Sequence, residues 1–416
     1  MQALPGFRDF LPDECATRNY IFARWREVAR RYGFVEWDGP VLEPTDLYRK
    51  KSGVEIVDQL FNFTDKGDRE VSMRPELTPT LARVVAARER AFKKPLKWFS
   101  IGQFFRYEKQ QRGRLREHYQ LNCDLIGESD FAADIELIAL CIDILRGFGL
   151  TEEDFVVRIS DREFWTDFLQ KQELPAEKWE EVLQVIDKSG RESREKTEEK
   201  LGKLADPVFS IFDKGGQSGK LDRLVDGLGA RGLAGFVDVD VRIVRGLAYY
   251  TGTVFEVFDR AGKLRAIAGG GRYDNLIGQL SDGAVSMPAL GFAMGDVVLG
   301  ELLRGAAREK LEAAIKEQNK IDIYVVIAKE QRRSDALEQI QALRDRGYRV
   351  DYPLTADKVA KQFQAAENVG ARITLLYGDE WPQVKVKNLA TRDESLIAGD
   401  ALLDSVAKFF NVSGSA

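Results

Sequence analysis

One histidine and three cysteines in 416 residues are a shortage that removes whole classes of chemistry. A single imidazole cannot serve both a histidine-based triad and a histidine-rich metal centre. Cys15, Cys123 and Cys141 have neither metal nor redox spacing, so they read as reduced thiols of a cytoplasmic protein, and no metal ligand set is read. No uninterrupted apolar run approaches the length that spans a bilayer. The opening MQALPGFRDFLP lacks a signal-peptide core and carries an early acid, so no targeting peptide is expected. Net charge is −5, so any nucleic-acid contact must come from a local basic patch and not from bulk charge.

What is present is an ordinary globular composition on a chain long enough for two or three domains. Two stretches stand out, VRIVRGLAYYTGTVFEVF (241–258) and IAGGGRYDNL (267–276). Their β-branched and aromatic residues predict two strands separated by a turn at 259–263. Arg245 falls among apolar strand residues, where a guanidinium is costly unless it meets a carboxylate or phosphate. Gly269, Gly270 and Gly271 interrupt the second strand, a sign of a bulge or of close backbone approach to a ligand. An arginine, two phenols (Tyr249, Tyr250) and a bare backbone read as a pocket floor. A buried ion pair beside a glycine bulge accounts for the same spacing.

Earlier in the chain, Asp13 is placed to cap a helix running to about Tyr32, with Gly33 as its stop and Ile21, Trp25, Val28 and Ala29 on one face. LFNFTDKGDREVSMRPELTPT predicts a hairpin with its turn at 65–68, leading into a helix that Glu76 and Thr78 open. Capping alone would explain those two residues. Strands are predicted over 97–108 and 118–127, joined by the basic KQQRGRLRE. Period two puts Phe104, Arg106 and Glu108 on one face, and His118, Gln120, Asn122 and Asp124 on one face of the partner. Four polar groups in a row need partners, either solvent or a ligand. An arginine-rich loop beside them suits phosphate.

A helical, strand-poor region follows over about 161–232, with a solvated or mobile charged stretch at 187–200 and a loop at 214–220. SMPALGFAMGDVVLGELL (286–303) reads as strand, glycine-rich turn and helix start. After a charged helix over 307–320, strand and helix alternate, which predicts an α/β domain with a largely parallel sheet and KVKNLATRD as its final strand.

RGLAYYTGTVFE and AGGGRYD resemble the two signature motifs of the histidyl-tRNA synthetases, a class II aminoacyl-tRNA synthetase family. FVEWDGPVLEPTDLY, FRYE with its basic loop, and GFAMG resemble class II motifs 1, 2 and 3. The resemblance implies an α+β fold, with an antiparallel catalytic sheet flanked by helices (1–160 and 233–305). It further implies a helical insertion (161–232) that grips the tRNA acceptor stem, a linker (306–320) and an α/β anticodon-binding domain (321–412). It implies a cytoplasmic histidine–tRNA ligase, a homodimer through motif 1, using ATP with Mg²⁺ on the outer phosphates, L-histidine and tRNA(His), and no membrane.

Carried over by motif, Arg106 and Arg245 are the catalytic cations. Arg106, Glu108, Arg114 and His118 bind ATP, with Arg112, Gly113 and Arg116 in the same mobile loop. Glu76, Thr78, Gln120, Asp124, Arg245, Tyr249 and Tyr250 bind histidine, with Glu76 on the α-ammonium and Asp124 accepting from the imidazole. Three positions depart from the usual pattern. Ala248 stands for an aspartate, His118 for an aromatic that stacks on adenine, and Val298 for the motif 3 arginine that holds the γ-phosphate. EHYQLN and the GD form of motif 3 resemble the plant-organelle branch. The loss of that arginine also fits a non-catalytic paralogue, such as the regulatory subunit of ATP phosphoribosyltransferase. The intact Arg106/Glu108 pair, the basic loop and the C-terminal domain favour the enzyme.

Overall fold

The computed structural model describes residues 2–49, 58–108, 113–190, 192–216, 218–244 and 249–410. The chain divides into two compact units, Met1–Leu311 and Glu312–Ala416. Among the described residues no helix is long and apolar enough to cross a membrane.

The first unit is organised by its strands, in chain order β1 (Val35–Glu36), β2 (Leu42–Pro44), β3 (Phe61–Thr64), β4 (Glu70–Met73), β5 (Leu96–Phe105), β6 (Glu117–Ile126), β7 (Phe155–Asp161), β8 (Val237–Val239), β9 (Thr253–Asp259), β10 (Ala268–Arg272) and β11 (Ala289–Gly295). Eight form one sheet in the order β1-β5-β6-β11-β10-β9-β7-β8. Its six central strands pair antiparallel, and the short β1 and β8 add parallel at the two edges. β2, β4 and β3 form a separate three-stranded sheet, with the expected turn after Thr64 closed by Asp65 Oδ1 accepting from the Gly67 and Arg69 amides.

Alternation decides which face of the large sheet is covered. On β6, Leu121, Cys123 and Leu125 are buried on the face opposite to Gln120, Asn122 and Asp124. Helix Ala132–Gly147 packs on β6 and β11 and carries a second helix, Pro12–Arg31, on its back. It is apolar on most sides because it is buried between them, with Leu137, Ile138, Leu140, Ile142 and Ile144 all inaccessible. A buried ion pair from Arg272 on β10 to Asp134 locks that helix to the sheet. Helix Pro12–Arg31 ends as expected at Gly33 (φ 77°): the Phe34 amide donates to Ala29 O and the Gly33 amide to Arg30 O, a Schellman closure. Its start differs, since Leu11 is the cap residue and Asp13 lies in the first turn.

Another departure concerns the stretch before β9. Val241–Val244 is not strand; ladder pairing begins at Thr253. Val241 and Val244 instead pack into the core of the helical region with Trp165, Leu169 and Ile186, and the Trp165 indole donates to Val241 O at 2.7 Å. That region is strand-poor as expected, with helices at Arg162–Lys171, Trp179–Lys188, Arg194–Leu201, Ala205–Lys214 and Gly219–Gly229.

The second unit has a five-stranded sheet in the order β13-β12-β14-β15-β16, where β12 is Ile323–Ile327, β13 Val350–Asp351, β14 Ile373–Tyr377, β15 Gln383–Asn388 and β16 Glu394–Ala398. It is mixed and not largely parallel: β13, β12 and β14 run parallel, while β15 and β16 add as an antiparallel hairpin. β16 is an additional strand after the expected final one. Its side chains are mostly exposed, so no alternation marks it.

Candidate active site

The face of the large sheet opposite helix Ala132–Gly147, packed at one end by Leu81, Val85 and Leu276, carries a cavity of about 460 Å³. Strand register explains its shape. Across the sheet, Ser100, Asn122, Ala293, Gly269 and Glu256 form one row; Trp98, Asp124, Gly291, Gly271 and Val254 form the next. Directly paired residues share a face, so β10 and β11 present glycine and alanine between the polar row of β6 and Glu256 of β9. The result is a trough with side chains on its walls and bare backbone on its floor. Gly291 is required there: a Cβ would fall 2.1 Å from Asp124 Oδ1. Gly270 faces the other way, where a Cβ would meet Gly291 O at 2.2 Å.

One end of the trough is lined by Glu76, Thr78, Asn122, Asp124, Tyr249, Tyr250 and Tyr273. The helix Thr78–Ala87 has Leu77 as its cap and no side-chain capping bond, so capping does not account for Glu76 and Thr78. Arg74, three residues before Leu77, does not line the cavity. It is fully buried over Gly102 of β5, donating to Asp38, Gly39 O and Gln103 O and lying over Phe104. Gly102 makes its space, since a Cβ there would lie 2.3 Å from the guanidinium. Asp124 is buried and accepts from the Tyr273 hydroxyl at 2.5 Å. Burial, then the neighbouring Asp124 carboxylate, push the Tyr273 phenol well above its ordinary range, so it stays a donor. Tyr249 packs on Tyr250 at 4.7 Å and edge-on to Tyr273 at 5.9 Å.

Six residues along β6, roughly 20 Å at strand rise, the other end is lined by Glu108, Gly113, Arg114, His118, Arg265 and Val298. Gln120 stands between the two ends. Arg106 follows the last residue of β5, and its Nε donates to Pro75 O at 3.1 Å, beside Glu76. Glu108 is buried and accepts from Arg114. Behind this end, Arg8 bridges Asp296 (2.8 Å) and Glu117 (3.1 Å), and the other Asp296 oxygen accepts from the Tyr119 amide. The GD form of motif 3 thus places its acid on an arginine 288 residues away.

Burial pushes the His118 imidazole down to about 3, and the guanidiniums of Arg106, Arg8 and Arg114 act in the same direction. The unfolded chain binds this proton near pH 6.5 and the native chain does not. The associated stability is therefore complete above pH 6.5 and lost as pH falls toward 3, at about 1.4 kcal/mol per unit. Because His118 is the only histidine, its ring resonance titrates without overlap. No imidazolium step is expected between about pH 5 and 8; a midpoint near 6.5 in the proton NMR spectrum would contradict a desolvated ring.

Of the sequence-predicted site residues, Glu76, Thr78, Arg106, Glu108, Arg114, His118, Gln120, Asp124, Tyr249 and Tyr250 all line this one cavity. Arg245 and Ala248, with Arg112, lie outside the described residues. Sequence reading placed Asn122 on the polar face of β6 without a specific role and assigned none to Tyr273, Glu256, Arg265 or Arg8. Tyr273 had a signal in its position after GGGR, and Glu256 in being the one charge inside VFEVF. Arg8 had none, because its partners are distant in sequence.

Comparison with known proteins gives a consistent result. The family described as Histidyl-tRNA synthetase matches residues 6–207 and 213–299, and Anticodon binding domain matches 322–409. The chain is 45% identical to a histidine–tRNA ligase of Opitutus terrae, over 99% of both chains. It is 38% identical to a chloroplastic/mitochondrial histidine–tRNA ligase of Arabidopsis thaliana, over 94% of this chain and 83% of that one. A crystal structure of histidyl-tRNA synthetase from Nostoc sp. PCC 7120 superposes with a TM-score of 0.78 at 22% identity, covering 98% of this chain and 99% of the other.

Proposed function

The chain belongs to the histidyl-tRNA synthetase family, and from that membership and the cavity's chemistry we propose that it joins L-histidine to tRNA(His) at the expense of ATP. The histidine carboxylate oxygen attacks the α-phosphorus, the bond to the β-phosphate bridging oxygen breaks, and pyrophosphate leaves with that electron pair. A ribose hydroxyl at the tRNA terminus then attacks the adenylate carbonyl and AMP leaves. Neither step requires a protein nucleophile; both require charge stabilisation and fixed geometry.

The observation that carries this reading is one trough with a polar, tyrosine-walled end and a guanidinium-rich end joined by bare backbone. Asp124, oriented by Tyr273, accepts the N–H of the substrate imidazole. Glu76 and Thr78 hold the α-ammonium, with Gln120, Tyr249 and Tyr250 closing the pocket. Arg106 and Arg245 neutralise the α-phosphate. His118, neutral and backed by Phe104 at 6.1 Å, stacks on adenine without adding charge. Glu108 takes the adenine amino group once Arg114 swings off it toward the phosphates. Among the described residues no group of three carboxylate, thiol or imidazole side chains forms a metal site; Mg²⁺ is the counterion that ATP brings on its outer phosphates.

Residues 161–232 would contact the acceptor stem and 321–412 the anticodon. The edge strand β1 and the segment after it expose Val35, Val41 and Leu42, which supports a homodimer through motif 1. Reduced cysteines support the cytoplasm.

A second reading, a histidine-sensing paralogue that does not activate, is favoured by one observation, the buried and apolar Val298 at the motif 3 arginine position. Histidine-dependent exchange of pyrophosphate into ATP separates the two. Exchange is expected; its absence with histidine binding intact would overturn the ligase in favour of the sensor.

A further inference from the structure

The wall near Val298 carries a cation that the motifs do not supply. Arg265 lies on the connection between β9 and β10 and lines the cavity together with Val298 and Gly113. These three meet closely. A Cβ at Gly113 would stand 3.4 Å from Val298 Cγ2, 3.6 Å from Arg265 Cδ and 3.9 Å from its Cγ. Backbone bonding fixes the proximity: the Gly295 amide donates to Ile267 O at 3.2 Å, joining the segment of Arg265 to the residue before helix Asp296–Ala306, where Val298 sits in the first turn. Position 113 is glycine at φ 73°, so the backbone at Gly113 adjoins this corner without a side chain of its own.

Charge makes the corner significant. Among the described lining residues there are three guanidiniums, Arg106, Arg114 and Arg265, against four carboxylates, Glu76, Glu108, Asp124 and Glu256. His118 adds no positive charge. A triphosphate entering this trough needs cations along its length, and an apolar Val298 offers none. Arg106 is bonded to Pro75 O beside Glu76, and Arg114 to Glu108. Resting on the ligase reading above, we propose that Arg265 binds the outer phosphates of ATP in place of the absent motif 3 arginine, reaching the same corner from the β9–β10 connection. A guanidinium moved to another element keeps the fork geometry that phosphate recognition uses, while the strand-paired segment next to it fixes its base.

The test uses the full chain with Arg265→Ala and Arg265→Lys, and calorimetric titration with MgATP and with AMP beside histidine-dependent pyrophosphate exchange. Arg265→Ala is expected to weaken MgATP binding about 10- to 100-fold, the loss of one charged hydrogen-bonding group. AMP affinity and the KM for histidine are expected within about twofold of wild type, and Arg265→Lys to fall between. An unchanged ratio of ATP to AMP affinity would overturn the proposal, as would equal loss of both, which would signal a structural or adenosine-side role. If wild type shows no exchange, the ligase reading fails, while the ATP-to-AMP ratio still decides whether Arg265 holds phosphates.

Discussion

Arg106→Ala is expected to lower the rate of histidine-dependent pyrophosphate exchange by about 10²- to 10³-fold while leaving histidine affinity intact. The size follows from removing one pre-positioned donor at a phosphorus that gains charge as it is attacked. The selectivity follows from geometry. Arg106 leaves the sheet at the end of β5, where its Nε donates to Pro75 O. Losing that bond costs about 1 kcal/mol, too little to unfold the unit. Asp124, Tyr273, Tyr249 and Tyr250, at the other end of the trough, keep their mutual contacts. Arg106→Lys keeps the charge and loses the planar fork, so it should recover only part of the rate. Rapid-quench measurement of adenylate formation with saturating histidine reads the effect directly. A loss below about tenfold, or a fall in histidine affinity of the same size, would remove Arg106 from the phosphate.

The contrast between β6 and β9 explains how much the sequence revealed. β6 is a regular ten-residue strand paired on both sides, so period two translated directly into a face carrying His118, Gln120, Asn122 and Asp124. The stretch before β9 has equally strong β-formers, but they are spent on another core: Val241 and Val244 pack against Trp165, and the Val241 carbonyl accepts from its indole. Propensity cannot say which layer an apolar residue joins. The same limit hid β16, whose exposed side chains carry no alternation and whose pairing to β15 is decided by the turn between them. Arg74 shows a third kind of failure. It opens RPELT, yet it is spent on Asp38, Gly39 O and Gln103 O beside Phe104, in space left by Gly102. Motif membership located the segment; only packing separated its strut from its binding groups.

Asp124→Asn isolates the histidine end in the same way that Arg106 isolates the other. The two side chains have the same shape, and the Tyr273 hydroxyl, which donates to Asp124 Oδ1 at 2.5 Å, finds an acceptor in the amide oxygen as well. Folding stability should therefore change by no more than about 1 kcal/mol. Recognition should not survive equally well. A carboxylate offers two acceptors, one for Tyr273 and one for an imidazole N–H; the amide keeps one and replaces the other with a donor. The ligand's N–H then faces an N–H inside a buried wall; turning the amide over restores that contact but leaves the Tyr273 hydroxyl hydrogen without its acceptor, so one buried polar group goes unmet either way. Sites built to hydrogen-bond a substrate group lose much more than sites that only enclose it. An increase of about 10²-fold or more in the KM for histidine is expected, with the affinity for ATP unchanged and the melting temperature near wild type. A shift in ATP affinity of similar size would mean that Asp124 shapes the trough as a whole, and the division into an imidazole end and a nucleotide end would fall with it.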